Sequence, residues 1–540
     1  MTLEYFMQKT SIIFSLVGSF LFAAENDLLK GALILNDAAK VKEEHIDLIE
    51  GVQFDGIRPS EELAAILEDF PLTQNGAEGL REAIASYYAD HEYRFSVIVP
   101  PNQDTSNGVV QLVVAPERLG TLNVKDNEFT DSRALTKWVR LKENDAIHKQ
   151  TLAEDIGWLN SNPFRSITVN YESGGTPGVT DVDLIVTDKK SWKISTGVDN
   201  NGTLPVGTTR IFGTIDVNDF IFSDHTLKLE TTLADHIAEY QSYAATYIAP
   251  LPWRNTLKLS GSWSGTTPKS ADFPQKNRQN YKAGIRYAIP QWFVENSWID
   301  QLTWETGFDF KGADSNLIYE DDPAPVDKKL AYISQFTGSV NAARKSQTNT
   351  ITAGIDLIGS PMSLLPHQTD ADFGNLREGA TVSYVYSKLA LAVDQSLYDW
   401  KFSAKGRAQV SPSTLLPSEQ FSLGGHSTVR GYQEKVVGGD NSFCGNFEIS
   451  TPTIASVGIW VPKFDDHFTI LGFVDAGYAW FNDSVADRPK QESLLGIGSG
   501  VRYAVASYFT SSLDVGFPLK KVQKDDSGKP RVHFSAALSY

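Results

Sequence analysis

The chain has 540 residues, too many for one ordinary domain, and its formal net charge of −18 argues against a nucleic-acid partner. Its single cysteine, Cys444, excludes an intrachain disulfide and a multi-cysteine metal site. Mean hydropathy is −0.24, with no apolar run after the start long enough for a transmembrane helix; a soluble protein has this profile, and so does a membrane β-barrel, whose strands show lipid only every second residue.

The N-terminus places Lys9 before an apolar run from Ile12 to Phe22, followed by Ala23 and Ala24. This is a signal-peptide pattern, too short to span a bilayer, and residues 1–24 are expected to be removed on export, after Ala23 or Ala24. Residues 25–43 form a short extension before the first domain.

From residue 44 the pattern mixes strands and helices. "LIEGVQFDG" reads as a strand, and "PSEELAAILEDF" as a helix with Ser60 at the N-cap and Glu61 and Glu62 in the first turn, where the helix dipole favours them. A second helix sets Leu80, Ile84 and Tyr87 or Tyr88 on one face, and two strands follow, "YRFSVIVP" and "GVVQLVVA". The same β-α-α-β-β order then repeats, giving two α+β domains over 44–117 and 118–190.

Beyond residue 190 the helical period disappears and strict alternation takes over. Tyr281, Ile285 and Ile289 share one parity, as do Trp304, Phe308 and Phe310, and again Val532, Phe534, Leu538 and Tyr540; the other parity is polar or glycine. Sixteen such segments begin near Trp192, Arg210, Thr226, Tyr240, Thr256, Tyr281, Gln301, Tyr332, Thr350, Thr381, Trp400, Asn446, Phe468, Gly496, Phe509 and Val532. An even number with aromatics on one parity over residues 191–540 predicts a transmembrane β-barrel of 16 antiparallel strands rather than a soluble β-sandwich. The longest gaps, near 264–280, 311–331, 358–380 and 411–445, follow odd strands and are predicted to be loops at one rim.

The last of these gaps holds "FSLGGHSTVRGYQEK", an arginine in a glycine-bordered loop. In the later segment "FTILGFVDAGYAWF" the parity turns Phe473, Asp475 and Gly477 toward the lumen. A loop folded inward would set Arg430 on Asp475. In a wet lumen the pair is expected to be hydrated, with a value of roughly 0–1 kcal/mol. No P-loop, G-x-S-x-G or H-E-x-x-H motif is present, so no catalytic residues, metal or cofactor are expected.

These motifs together resemble the two-partner secretion transporter family (TpsB, the haemolysin-activator and filamentous-haemagglutinin transporter type), within the BamA-like superfamily of POTRA-plus-barrel proteins. "GGHSTVRGY" resembles the inward-folded loop motif, which singles out Gly424, Gly425, Val429, Arg430, Gly431 and Tyr432; "GFVDAGY" resembles the barrel-wall motif, which singles out Phe473, Asp475 and Gly477. "IVPPNQDTSNGVVQLVV" is similar to the stretch closing the first POTRA domain, and "GGDNSFCGNFEIS" places Glu448 at an acidic lumen position. The resemblance implies POTRA domains at 44–117 and 118–190, a barrel at 191–540 with an inward loop at 411–445, and an extension at 25–43 with room for at most a short plug helix. It further implies an outer-membrane transporter, not an enzyme, whose periplasmic POTRA domains recognise a secreted exoprotein with an N-terminal two-partner secretion domain, such as a haemolysin, adhesin or haem-scavenging protein. Outer-membrane lipids and, during biogenesis, the barrel-assembly machinery are implied partners, the latter reading Phe534, Leu538 and Tyr540 as a C-terminal signal. The alternative within the superfamily is an outer-membrane protein assembly and insertion factor.

Overall fold

A computed structural model of the chain describes residues 29–540 apart from 45, 69, 90, 177, 268–274, 294–297, 320–321, 456–457, 459–464, 484–488 and 523–527. The expected signal peptide and residues 25–28 lie outside the described residues. The chain divides into two compact units, Met1–Lys189 and Lys190–Tyr540.

The N-terminal unit holds two small sheets. The first contains β1 (Gly31–Leu35), β2 (Gly51–Asp55), β3 (Phe95–Ile98) and β4 (Val109–Pro116) in the order β2-β1-β4-β3. Helices α1 (Glu61–Glu68) and α2 (Leu72–Tyr88) cover one face and bury Leu63, Leu67, Leu80 and Ile84 against Ala32, Ile34 and Leu112. Ser60 caps α1, its Oγ accepting from the Leu63 amide at 3.0 Å. Gln103, in the quoted Pro-rich stretch, brackets one residue of β4: its Nε2 donates to the Gln111 carbonyl and its Oε1 accepts from the Gln111 amide.

The second sheet has the order β5-β7-β6, from β5 (Arg118–Lys125), β6 (Arg165–Ser173) and β7 (Val179–Asp188), with α3 (Ser132–Thr136) and α4 (Lys149–Asn160) over a separate apolar core that includes Leu135, Leu152, Leu159 and Leu184. The extension before the first domain carries no helix of plug length among its described residues. It contributes a strand, β1, and a single 3-10 turn at Ala38–Lys40. "GALIL" buries Ala32, Ile34 and Leu35, and that burial outweighs any helical preference.

The C-terminal unit is one closed barrel of sixteen strands. They are β8 (Trp192–Asp199), β9 (Arg210–Val217), β10 (Thr226–Ala234), β11 (Tyr240–Pro250), β12 (Thr256–Thr266), β13 (Gln275–Trp292), β14 (Gln301–Tyr319), β15 (Asp322–Lys345), β16 (Asn349–Ser360), β17 (Tyr384–Leu397) and β18 (Trp400–Val410). After an inserted hairpin of β19 (Phe421–Leu423) and β20 (Val437–Gly439) come β21 (Asn441–Ser450), β22 (Asp466–Trp480), β23 (Gln491–Val505), β24 (Phe509–Pro518) and β25 (Arg531–Ser539). Outward residues keep the predicted parity, with Ile285, Trp304, Val474 and Leu538 all exposed. Strand β25 closes the barrel on β8; Tyr540 and Ile194 exchange backbone hydrogen bonds at 2.8 and 2.9 Å, and the Tyr540 ring lies 5.4 Å from Trp192.

Three predicted loops change. The 264–280 gap is shorter than expected, since β12 runs to Thr266 and β13 begins at Gln275. The 311–331 gap is not a loop: β14 and β15 run on as a paired ribbon through most of it, with Leu317 opposite Asp327. A two-residue alternation is hard to see through a polar segment, but the backbone ladder continues because each strand satisfies the other's amides. The inward loop ends at Asp440 rather than 445, since Asn441–Ser450 is already barrel strand.

In the second domain, Asp188 at the end of β7 accepts from the amides of Glu128, Phe129 and Thr130 at 3.0, 2.9 and 2.6 Å. Burial pushes its carboxyl up, but these donors outweigh it and hold the pKa below the usual aspartate range. A depressed folded pKa adds stability that is present above the unfolded value of about 4 and is lost as pH falls through the folded one. The thermal midpoint of a 29–189 fragment should therefore drop below about pH 4. Asp188→Asn should lower the midpoint at neutral pH and flatten that acid limb, as thermal melts read by circular dichroism will show.

Candidate functional site: the pinned lumen loop

Residues 411–440 leave β18, fold into the lumen and return to β21. Tight backbone turns shape the tip: the Gly425 amide donates to the Val429 carbonyl at 3.1 Å and Thr428 N to Gly425 O at 3.2 Å. Gly424 and Gly425 both have left-handed φ, 102° and 96°, which a side chain would strain.

Arg430 stands at the centre. Its Nε and Nη2 donate to the two oxygens of Asp475 at 2.7 and 2.9 Å, and its own amide donates to Asp475 Oδ2 at 3.0 Å. Its Nη1 meets Glu448 Oε1 at 2.6 Å and Asp514 Oδ2 at 3.4 Å. The guanidinium lies 3.5 Å from the centroid of the Phe473 ring, a stacked cation–π contact. Side-chain exposure is 4% for Arg430 and 0% for Asp475, so the pair is dry rather than hydrated as expected. Packing of the loop against the wall excludes the water that a lumen would otherwise supply, and removing one partner of such a pair costs about 3–5 kcal/mol.

The wall makes room with glycines. A Cβ at Gly496 would meet the Arg430 carbonyl at 2.1 Å, and one at Gly516 the Gly431 amide at 2.4 Å. Gly477 faces Val429 and Leu423 in the same way, whereas Gly472 has only ordinary contacts and makes no room for the loop. Tyr432, 1% exposed, accepts at its hydroxyl from the amides of Leu495 and Lys520 at 3.2 and 3.1 Å. Val429, Tyr432 and Leu423 share an apolar cluster with Cys444, Ala479 and Leu494 on the wall.

All of the loop-tip and wall residues named from sequence thus meet at one place, together with Glu448. The C-terminal three do not: Phe534, Leu538 and Tyr540 lie on β25 and the chain end beside the β8 seam. Sequence reasoning missed Asp514, which also pairs with Arg502 at 2.5 Å, and Asn446, whose Nδ2 donates to Asp475 Oδ1 at 2.8 Å. It missed His533, whose Nε2 accepts from the Gly431 amide at 3.3 Å and so carries no proton there. Lumen parity on β24 and β25 was the available signal.

Two further anchors hold the loop away from its tip. Glu419, with a side chain 1% exposed, accepts from Lys311 Nζ at 2.8 Å and from the Tyr386 hydroxyl at 2.7 Å. Asp440 receives both Nη groups of Arg377, one at 2.8 Å, and the amides of Leu415 and Asn482, each at 3.0 Å. Arg377 follows α5 (Asp370–Leu376), a short helix in the connection between β16 and β17; there Phe373, 0% exposed, packs with Leu415 and Leu416 of the inward loop. That connection and the loop base meet at the barrel rim opposite Trp192 and Tyr540. Between the loop tip and strands β14 to β18 remains a cavity of about 700 Å³, lined by Lys405, Arg407, Asn446, Glu448 and Arg502 among others.

The profile of the family described as "Haemolysin secretion/activation protein ShlB/FhaC/HecB" matches residues 326–503, a span that contains the whole inward loop and Asp475. That of "POTRA domain, ShlB-type" matches residues 48–117. The chain thus carries a ShlB/FhaC/HecB-type domain in its C-terminal unit and a ShlB-type POTRA domain in its N-terminal unit. Among curated relatives, the outer membrane transporter CdiB of Dickeya dadantii (strain 3937) is 22% identical over 463 residues, 82% of this chain and 76% of that protein. Its namesake in Escherichia coli is 20% identical over 467 residues, 83% of this chain and 74% of that protein. Among solved structures, CdiB from Escherichia coli superposes with a TM-score of 0.72 at 16% identity, covering 98% of this chain and 93% of that one. CdiB from Acinetobacter baumannii gives 0.61 at 18% identity, covering 96% and 91%. Both likenesses concern the fold.

Arg430→Ala should leave the barrel folded, because sixteen closed pairings do not depend on the loop, yet should release the tip: a docking loss of about 3–5 kcal/mol. Limited proteolysis within 421–435 and heat-modifiable migration on gels read the two effects separately. Arg430→Lys should restore docking only in part, since an ammonium lacks the fork that spans both Asp475 oxygens. Arg377→Ala should instead raise single-channel conductance in planar bilayers while the 421–435 segment stays protected; unchanged conductance would show that the rim anchor does not restrict the pore.

Proposed function

We propose that this outer-membrane transporter of the two-partner secretion type takes hold of one large exoprotein with its periplasmic POTRA domains and passes it unfolded through the barrel. The observation that carries this reading is the buried Arg430–Asp475 pair: a loop folded into the lumen and held by charge is a movable obstruction, not a filled core. A 16-stranded barrel is wide enough for an aqueous channel once such a loop moves. Arg430 keeps the loop tip in place at rest, Asp475 and Glu448 receive it, and Asp514 links it to Arg502.

Sheet edges in the N-terminal unit supply the recognition chemistry. An unfolded partner exposes backbone amides and carbonyls, and an edge strand accepts them regardless of most side chains. The ShlB-type match of the first small domain favours secretion over general barrel assembly. No nucleotide is present in the periplasm, so folding of the cargo outside the cell supplies the direction.

In cells that carry the chain and the large exported protein encoded beside it, deletion of the chain should trap that protein in the periplasm. Wild type should restore export, and a variant lacking residues 29–189 should not. Surface immunoblots against periplasmic extracts measure this. Export without the chain would refute the transport reading; export by the shortened barrel would refute recognition by the POTRA domains.

A further inference from the structure

Strand β1 fills a place in its sheet that the second domain does without. There, β5 pairs directly and in parallel with β7. In the first domain the corresponding strands β2 and β4 never meet. β1 lies between them in parallel register with both: Gly31 faces Gly51 and Val109, and Leu35 faces Asp55 and Val113. The β-α-α-β-β unit has all its own elements without β1, so β1 behaves as a ligand seated in a strand-wide slot.

The slot has a definite chemistry. Both walls offer backbone donors and acceptors to an extended chain. The floor takes Ala32 and Ile34 into the apolar core beside Leu63, Leu80 and Ile84. The first position requires glycine, because a Cβ at Gly31 would meet the Ile49 carbonyl at 2.0 Å. A five-residue segment with glycine first and small or apolar residues at alternate positions therefore fits.

The surroundings allow exchange. β2, the outer wall, is bounded by two glycines with left-handed φ, Gly51 at 74° and Gly56 at 76°, where the backbone turns sharply. The connection from β1 to β2 is attached to the domain independently of the β1 ladder. Lys42 exchanges backbone-to-side-chain hydrogen bonds with Gln111 at 3.0 and 2.7 Å, and Asn107 Nδ2 donates to the Ile46 carbonyl at 2.6 Å. β1 can leave while this connection keeps its place.

We propose that the slot between β2 and β4 is a strand-exchange site: β1 occupies it at rest, and an extended segment of the secreted partner replaces β1 on capture. This rests on the reading that the POTRA domains receive the partner. That partner must arrive unfolded to pass the lumen, so it presents the free backbone the slot accepts.

The test is a lock. Ala32 and Val110 are register partners in adjacent parallel strands, both buried on the core side, so Ala32→Cys with Val110→Cys is placed to form a disulfide in the oxidising periplasm. In the full chain the oxidised pair should abolish export of the protein encoded beside it. Brief reduction of the same double variant should restore export. Normal export by the oxidised pair would overturn the proposal and make β1 a permanent strand, with docking at the outer edge of β2 as the remaining route. If the double variant fails to accumulate, hydrogen exchange on the wild-type chain decides: amides 32–35 should lose protection when the partner's N-terminal segment is added, and retained protection in a formed complex overturns exchange. Absence of any complex between that segment and the wild-type chain would count against POTRA recognition itself, and with it the exchange that depends on it.

Discussion

A guanidinium that is 4% exposed stays charged, so its burial is costly unless carboxylates surround it, and the arrangement of the barrel interior around Arg430 answers that requirement. Three carboxylates, from β21, β22 and β24, converge on one cation carried by a loop that starts at the rim. Phe473 offers its ring face to the same cation, and Gly496 and Gly516 thin the wall so that the loop backbone can come close. Each feature would be a cost without the others: acidic side chains crowded inside a barrel repel one another, and glycines weaken strands. The loop and the wall are therefore mutually conditional. This is the physical form of a two-position element: docked, Arg430 and its three carboxylates are paired; undocked, water must enter to solvate them.

The loop's other anchors differ in kind. Glu419 is held by Lys311 and Tyr386 across the lumen, and Asp440 by Arg377 from a neighbouring connection at the rim. Displacement of the loop would have to break these ion pairs as well as the Arg430 cluster. Glu419 and Asp440 are themselves joined through Gln409, whose Nε2 donates to both their carbonyls at 2.9 and 3.1 Å, so those two anchors are coupled rather than independent.

The two small N-terminal domains, the first of which matches the ShlB-type POTRA model, show how one element order supports two sheets. In the second, the apolar core closes with three strands. In the first, Ala32 and Ile34 come from a segment outside the repeated unit, and the sheet widens to admit it. Nothing in the local pattern of "GALIL" distinguishes a strand of this sheet from a helix turn or an anchor, since five residues satisfy either period.

Much of the barrel was legible in the sequence because alternation is a one-dimensional signal: a residue that faces lipid must be apolar, and its neighbour must not be. Starts at Trp192, Arg210, Thr226, Tyr240, Thr256, Gln301, Trp400 and Phe509 coincide with the observed strands for this reason. The pairing of Arg430 with Asp475 was legible too, since parity turned one inward and glycines allowed the other to reach it. The long β14–β15 ribbon was not, because its extension past residue 311 is held by backbone pairing that polar side chains do not advertise. Glu419 and Arg377 stayed hidden because their partners, Lys311 and Asp440, lie 108 and 63 residues away, and only the folded barrel sets the distances between them; Asp514 and Arg502 sit on the neighbouring strands β24 and β23, but their part in the site depends on where the loop brings Arg430. Sequence by itself determined which residues face in or out, and which loop carries the central cation. Tertiary structure alone decided that the cation is dry, how many carboxylates share it, and that the segment before the first domain is a strand. Those outcomes depend on what packs against each group, and packing is a property of the closed fold.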